Sequence, residues 1–98
     1  MRWFAFLPRW LSRSPAQRPD LHIILYTRQS CPLCDEAWKL LQEFRARYGF
    51  ILEARDVDAS DELRLTHGNW VPVVMINDRL RFRGHVNPVL LQRILESP

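Results

Sequence analysis

Cysteine is scarce in this sequence: there are two, Cys31 and Cys34, with two residues between them. A disulfide-stapled scaffold would spread four or more along the chain, so the pair does not belong to that class. One close pair fits a reducing compartment in which the thiols cycle, and a cytoplasmic location is expected. Long hydrophobic runs are also missing, since no stretch approaches the roughly 20 apolar residues that a membrane span requires. Trp3-Phe4-Ala5-Phe6-Leu7 stops at Pro8-Arg9. That is short of the roughly 7–15 residues of a signal-peptide core, and no cleaved leader is expected. The body of the chain has no excess of charge. The formal net charge of +3 arises in residues 1–20, where Arg2, Arg9, Arg13 and Arg18 face only Asp20, and residues 21–98 balance ten basic against ten acidic side chains. No nucleic-acid partner is expected of a body without a basic footprint.

What remains is an ordinary composition. With 98 residues, 47% hydrophobic and 26% charged, the chain is long enough for one domain with a single core. A monomer is expected. Residues 1–20 differ in kind from residues 21–98, and the two are read as an extension with linker and a folded domain. Three of the seven prolines (Pro8, Pro15 and Pro19) lie in the extension, and Ser12 to Asp20 has a linker's composition. Trp3, Phe4, Leu7, Trp10 and Leu11 fall on one helical face beside Arg2, Arg9 and Arg13. The functional reading of residues 1–11 is a basic, aromatic anchor in peripheral contact with a membrane. The alternative is a frayed tail or a segment folded back on its own domain, because Pro8 breaks any helix begun at Arg2.

Leu21 to Thr27 is nearly all apolar, the pattern of a central strand buried on both faces. His22 at its start reads as a strand-end histidine. A helix follows from Pro32 to Tyr48, with Gly49 as its left-handed cap. Leu33, Ala37, Leu40, Leu41, Phe44 and Tyr48 recur at helical spacing as its buried stripe, and Trp38 reads as packing. Phe50 to Val57 reads as a second strand, with Phe50, Leu52 and Ala54 on one face and Ile51, Glu53 and Arg55 on the other. Ser60 caps a short helix ended by Gly68. Val71 to Ile76 is a third strand with proline at its second position. Asn77-Asp78 makes a two-residue hairpin turn, and Arg79 to Phe82 returns as an edge strand. Asn87-Pro88 caps a last helix that packs Val89, Leu90, Ile94 and Leu95.

The cysteine pair stands where the first strand gives way to the first helix. That junction puts Cys31 at a helix N-terminus, where unpaired N–H groups and the macrodipole favour a thiolate, and Cys34 one turn in, within disulfide reach. The residues therefore point to thiol–disulfide chemistry, with Cys31 as nucleophile and Cys34 as resolving thiol. A zinc site joining the pair to His67 and His85 matches no zinc-finger spacing, and no metal is expected. Two alternatives remain: an iron–sulfur site using Cys31 with glutathione, which the second cysteine of the motif disfavours, and a non-catalytic module with a vestigial or structural pair, docked through its extension.

The element order β-α-β-α-β-β-α, with Cys-x-x-Cys opening the first helix and Val-Pro opening the third strand, resembles the thioredoxin superfamily, and glutaredoxins most closely. The likeness covers residues 21–98. Tyr26-Thr27-Arg28-Gln29-Ser30-Cys31-Pro32-Leu33-Cys34 is similar to the glutaredoxin opening, and Val71-Pro72 to its cis-proline element. Leu33-Cys34-Asp35-Glu36-Ala37 and Phe82-Arg83-Gly84-His85-Val86-Asn87-Pro88 are closer to a bacterial glutaredoxin-like family of largely unassigned function. The resemblance implies an α/β, thioredoxin-like fold with a four-stranded mixed sheet and helices on both faces. It implies a cis bond at Pro72, with the backbone of Val71 free to pair with a peptide or glutathione, and a basic residue, Arg28, before the pair. No bound cofactor is implied; the partners are a disulfide-containing protein or a glutathione mixed disulfide, with glutathione as co-substrate. Arg28, Trp70, Val71, Pro72, Gly84 and Asn87 are the implied binding residues. The chain departs from the pattern at Trp70, where glutaredoxins have threonine, and at His85, where a second glycine is usual. Asp35, one turn after Cys31, opposes the stabilisation of its thiolate.

Overall fold

The computed structural model describes residues 17–97. The proposed anchor, residues 1–11, lies outside the described residues. The elements follow in the order β1 (His22–Thr27), α1 (Pro32–Tyr48), β2 (Ile51–Asp56), one 3-10 turn (Val57–Ala59), α2 (Asp61–His67), β3 (Val73–Ile76), β4 (Arg79–Arg83) and α3 (Pro88–Glu96). The strands form one mixed sheet in the order β2-β1-β3-β4. β1 and β2 are parallel, which requires the crossover that α1 supplies, and the other two pairings are antiparallel. β1 thus lies inside the sheet, and its apolar run is buried on both sides.

The alternation of β1 divides two cores. Ile23 and Leu25 point to the larger one, with Ala37, Leu41, Phe44 and Tyr48 of α1 and Leu91 and Leu95 of α3. Ile24 and Tyr26 point the other way, onto Val57, Val73 and half-buried Leu63 of α2. Two helices therefore cover one face and one short helix the other. Leu41, Leu91, Leu95 and Ile23 are wholly buried, each stabilising the fold by about 1.5–3 kcal/mol in area terms. α1 starts on Pro32 and ends at Gly49, whose φ of 70° is left-handed and whose N–H donates to the Arg45 carbonyl at 2.8 Å. The Asn77-Asp78 turn has φ of 48° and 66°, both left-handed, as a type I′ hairpin requires.

Four expectations are corrected. Leu33 is not part of the buried stripe of α1 but 51% exposed, and Leu40 is only half-buried. The buried stripe of α1 runs instead through Cys34, Ala37, Leu41, Phe44 and Tyr48, and Leu33, one position off it, lines a surface cleft. β2 is an edge strand whose two faces differ little: Ala54, on the face with Phe50 and Leu52, is exposed, and so is Ile51 on the other. β3 starts at Val73 rather than Val71, so Pro72 precedes the ladder and costs it no hydrogen bond. In α3 the buried residues are Leu91 and Leu95, while Val89 and Leu90 are exposed. Leu91 and Leu95, four residues apart, share the face toward the sheet, and Val89 and Leu90 lie off it. β4 also carries an irregularity that its sequence does not announce. Val74 faces Phe82 but Met75 faces Leu80, so Arg81 is the extra residue of a β-bulge.

Candidate active site

Ser30, with φ of 56°, turns the chain out of β1 so that Cys31 is the N-cap of α1. The Cys31 Sγ accepts a hydrogen bond from the Cys34 N–H at 3.2 Å, so the sulfur occupies the place of a capping oxygen. The two cysteines are disulfide-bonded, with Cα atoms 5.2 Å apart. Their environments differ. Cys31 is partly exposed, whereas Cys34 is 1% exposed. An incoming thiol or disulfide therefore meets Cys31 first.

Two further loops reach the same end of the sheet. β3 runs antiparallel to β1 with Val73 opposite Tyr26, which brings the segment before β3 beside the β1–α1 junction. There the Val71–Pro72 peptide bond is cis and Pro72 is buried. Among the described residues neither the N–H nor the C=O of Val71 has a hydrogen-bond partner. Gly84, at φ 74°, donates its N–H to both the Trp70 carbonyl at 3.0 Å and the Pro72 carbonyl at 2.8 Å. This locks the β4–α3 loop to the proline segment. Trp70 stands half in solvent with the Arg83 guanidinium 4.8 Å over its ring.

A cleft of about 240 Å³ runs between α1 and the β4–α3 loop. Leu33, Ala37 and Leu40 form one wall, Gly84, Val86 and Pro88 the other, with Glu36 and His85 also lining it. A smaller cavity of about 190 Å³ reaches Cys34 from the β2 side, past Asp35, Thr27 and Trp38. Of the residues implied for binding, Trp70, Val71, Pro72 and Gly84 are thus brought together. Asn87 is engaged elsewhere. Its Oδ1 accepts from the N–H groups of Val89 and Leu90 at 2.9 and 3.2 Å, capping α3.

Arg28 is committed as well. It donates from Nε and Nη2 to the two Asp58 oxygens at 3.0 and 3.1 Å and from Nη1 to the Gly68 carbonyl at 3.0 Å. The bond from Arg28 holds the Asp58 carboxyl below the usual carboxylate range and raises the guanidinium. Arg28 therefore ties the β1–α1 loop to the 3-10 turn and the end of α2, and its charge is largely matched before it reaches Cys31. Nothing in the sequence marks Asp58 as its partner. His67 stacks on Tyr26 with centroids 4.5 Å apart, and His22 hydrogen-bonds Glu53 at 2.6 Å. Among the described residues no three His, Cys, Asp or Glu side chains converge as a metal site.

The model of the family described as "Glutaredoxin-like domain (DUF836)" matches residues 22–96. The chain belongs to this glutaredoxin-like family. Solved structures carry the fold of the glutaredoxin-like domain. A Nitrosomonas europaea protein aligns with a TM-score of 0.67 at 21% identity, covering 76% of this chain and 89% of that one. An X. campestris protein gives 0.62 at 27% identity, over 78% and 99%. A glutaredoxin from Archaeoglobus fulgidus gives 0.56 at 19% identity, over 78% and 87%. No curated protein matches the sequence.

Proposed function

We propose that this glutaredoxin-like protein is a thiol–disulfide oxidoreductase, with Cys31 as nucleophile and Cys34 as resolving thiol. The observation that carries the reading is the asymmetric pair: one sulfur capping a helix and reachable from solvent, the other one turn in and buried. In the reduced protein the Cys31 thiolate attacks one sulfur of a substrate disulfide. A Cys31–substrate disulfide forms and one substrate thiolate leaves, taking up a proton from water. Cys34 then loses its proton and attacks the Cys31 Sγ. The protein disulfide closes and the second substrate thiol departs, so that two electrons and two protons have passed to the substrate.

The unpartnered backbone of Val71 supports an extended peptide as substrate, held as one added strand rung, with the exposed Trp70 and the apolar cleft beside it for side chains. Glutathione serves in this proposal as the thiol that recharges the pair, in a cytoplasmic setting. The test is insulin reduction and hydroxyethyl-disulfide turnover by wild type, Cys31→Ser and Cys34→Ser. Turnover is expected to vanish in Cys31→Ser, and Cys34→Ser is expected to accumulate a mixed disulfide visible by mass spectrometry. A wild type inactive on both substrates would leave the non-catalytic binding module as the better description.

A further inference from the structure

Positive charge is distributed unevenly over the fold. Arg18, Arg28, Arg55 and Arg64 are all ion-paired, and Lys39, Arg45 and Arg47, which are in no ion pair among the described residues, share α1 with Asp35, Glu36 and Glu43. From Arg79 to Leu95 the chain carries four arginines and no carboxylate. Among the described residues none of Arg79, Arg81 and Arg93 pairs with an acid. These three border two adjoining grooves, of about 340 and 190 Å³, that share Arg81, Ile94 and Ser97 along the β4 edge and α3. Arg79 and Arg81, two residues apart on β4, line the same groove. Between the charges the first groove is lined by Leu90, 46% exposed, by half-buried Ile94 and by the edge of buried Phe82.

We infer that this β4–α3 face is a docking surface for an anionic lipid bilayer. Unpaired arginines around exposed Leu90 and half-buried Ile94 match the two layers such a surface presents, phosphate outside and acyl chain beneath. Arginine suits the outer layer because its planar fork binds phosphate through two N–H groups at once. A second observation comes from the entry of the chain. Arg18, where the extension joins the domain, lines one of the grooves and is held there by the Leu95 and Ser97 carbonyls at 2.8 and 2.5 Å. The residues that precede it contain Arg2, Arg9 and Arg13 among Trp3, Phe4 and Trp10, and no acid. Their like charge argues against the extension as occupant of an arginine-bordered groove, and both suit one acidic surface. Cys31 lines neither groove, so the redox chemistry is separate from this inference.

The test is flotation of the full chain with phosphatidylcholine vesicles, alone or with phosphatidylglycerol, at low and high salt. The proposal expects binding to the anionic vesicles only, weakened as salt screens it. A triple variant Arg79→Gln, Arg81→Gln, Arg93→Gln is expected to lose roughly a hundredfold in partitioning, about fivefold per arginine. Lys39→Gln, Arg45→Gln, Arg47→Gln, the same charge removed from α1, should stay within about twofold on that same scale. Circular dichroism confirms that both variants are folded. Equal binding to neutral vesicles, equal losses in the two variants, or arginine-dependent binding to polyglutamate without vesicle binding would each overturn the lipid assignment.

Discussion

Asp35 is the most informative single charge near the redox pair. Its N–H donates to the Cys31 carbonyl at 3.1 Å, the first bond of α1, which stacks the two residues one turn apart. Side chains so related have Cβ atoms about 5–6 Å apart. At about 6 Å, in a dielectric near that of water, a unit charge repels a thiolate by roughly 0.7 kcal/mol, or about half a pKa unit. Asp35 is exposed, so the water-like limit applies. Asp35→Asn should therefore lower the Cys31 pKa by about half a unit, raising the thiolate fraction roughly threefold at pH values well below it. The lower pKa also makes each thiolate less nucleophilic. With a Brønsted slope of about 0.4–0.5, that factor is roughly 1.7. Alkylation of the reduced variant by iodoacetamide should then be roughly twice as fast as wild type at low pH and roughly 0.6 times as fast at high pH, by the same slope, so the two rate profiles cross. Both differences should shrink in high salt. Parallel profiles, or a variant slower at every pH, would refute the placement of Asp35 over the reactive sulfur.

Two further outcomes test the frame that holds the site. Leu41 is wholly buried between α1 and the sheet, and Leu41→Ala should destabilise the domain by about 2–5 kcal/mol in urea unfolding, leaving turnover per folded molecule unchanged. Arg28 lowers the pKa of Asp58 in the folded state, so this pair stabilises the fold above the unfolded-state pKa and the contribution is lost as pH falls through the folded value. Between pH 6 and 3 the melting temperature of Asp58→Asn should consequently fall less steeply than that of wild type.

Most of the frame was legible because it depends on local chemistry. Pro32 and Gly49 mark the ends of α1, Ser60 and Asn87 cap the later helices, and Asn77-Asp78 encodes its turn. The continuous apolar run of β1 placed it inside the sheet. Burial in the first turns of helices was not legible, since Leu33, Val89 and Leu90 carry the right hydrophobicity and adjacent apolar positions leave open which of them, Leu33 or Cys34, Leu90 or Leu91, faces the sheet. The bulge at Arg81 depends on pairing register, which no single strand contains. At the site, the sequence named both cysteines and the proline segment. It assigned Arg28 and Asn87 to a ligand, and the structure engages both in internal bonds. A long-range partner such as Asp58, thirty residues from Arg28, leaves no trace in local spacing.

The Arg18 guanidinium has a consequence for how the polypeptide is strung. By gripping Asp20 on one side and the last turn of α3 on the other, it brings the beginning and end of the folded unit together. The domain is nearly a closed ring. A short peptide joining residues 97 and 18 should accordingly allow the chain to be reopened at the solvent-facing Asn77-Asp78 corner, giving a circular permutant with the same sheet.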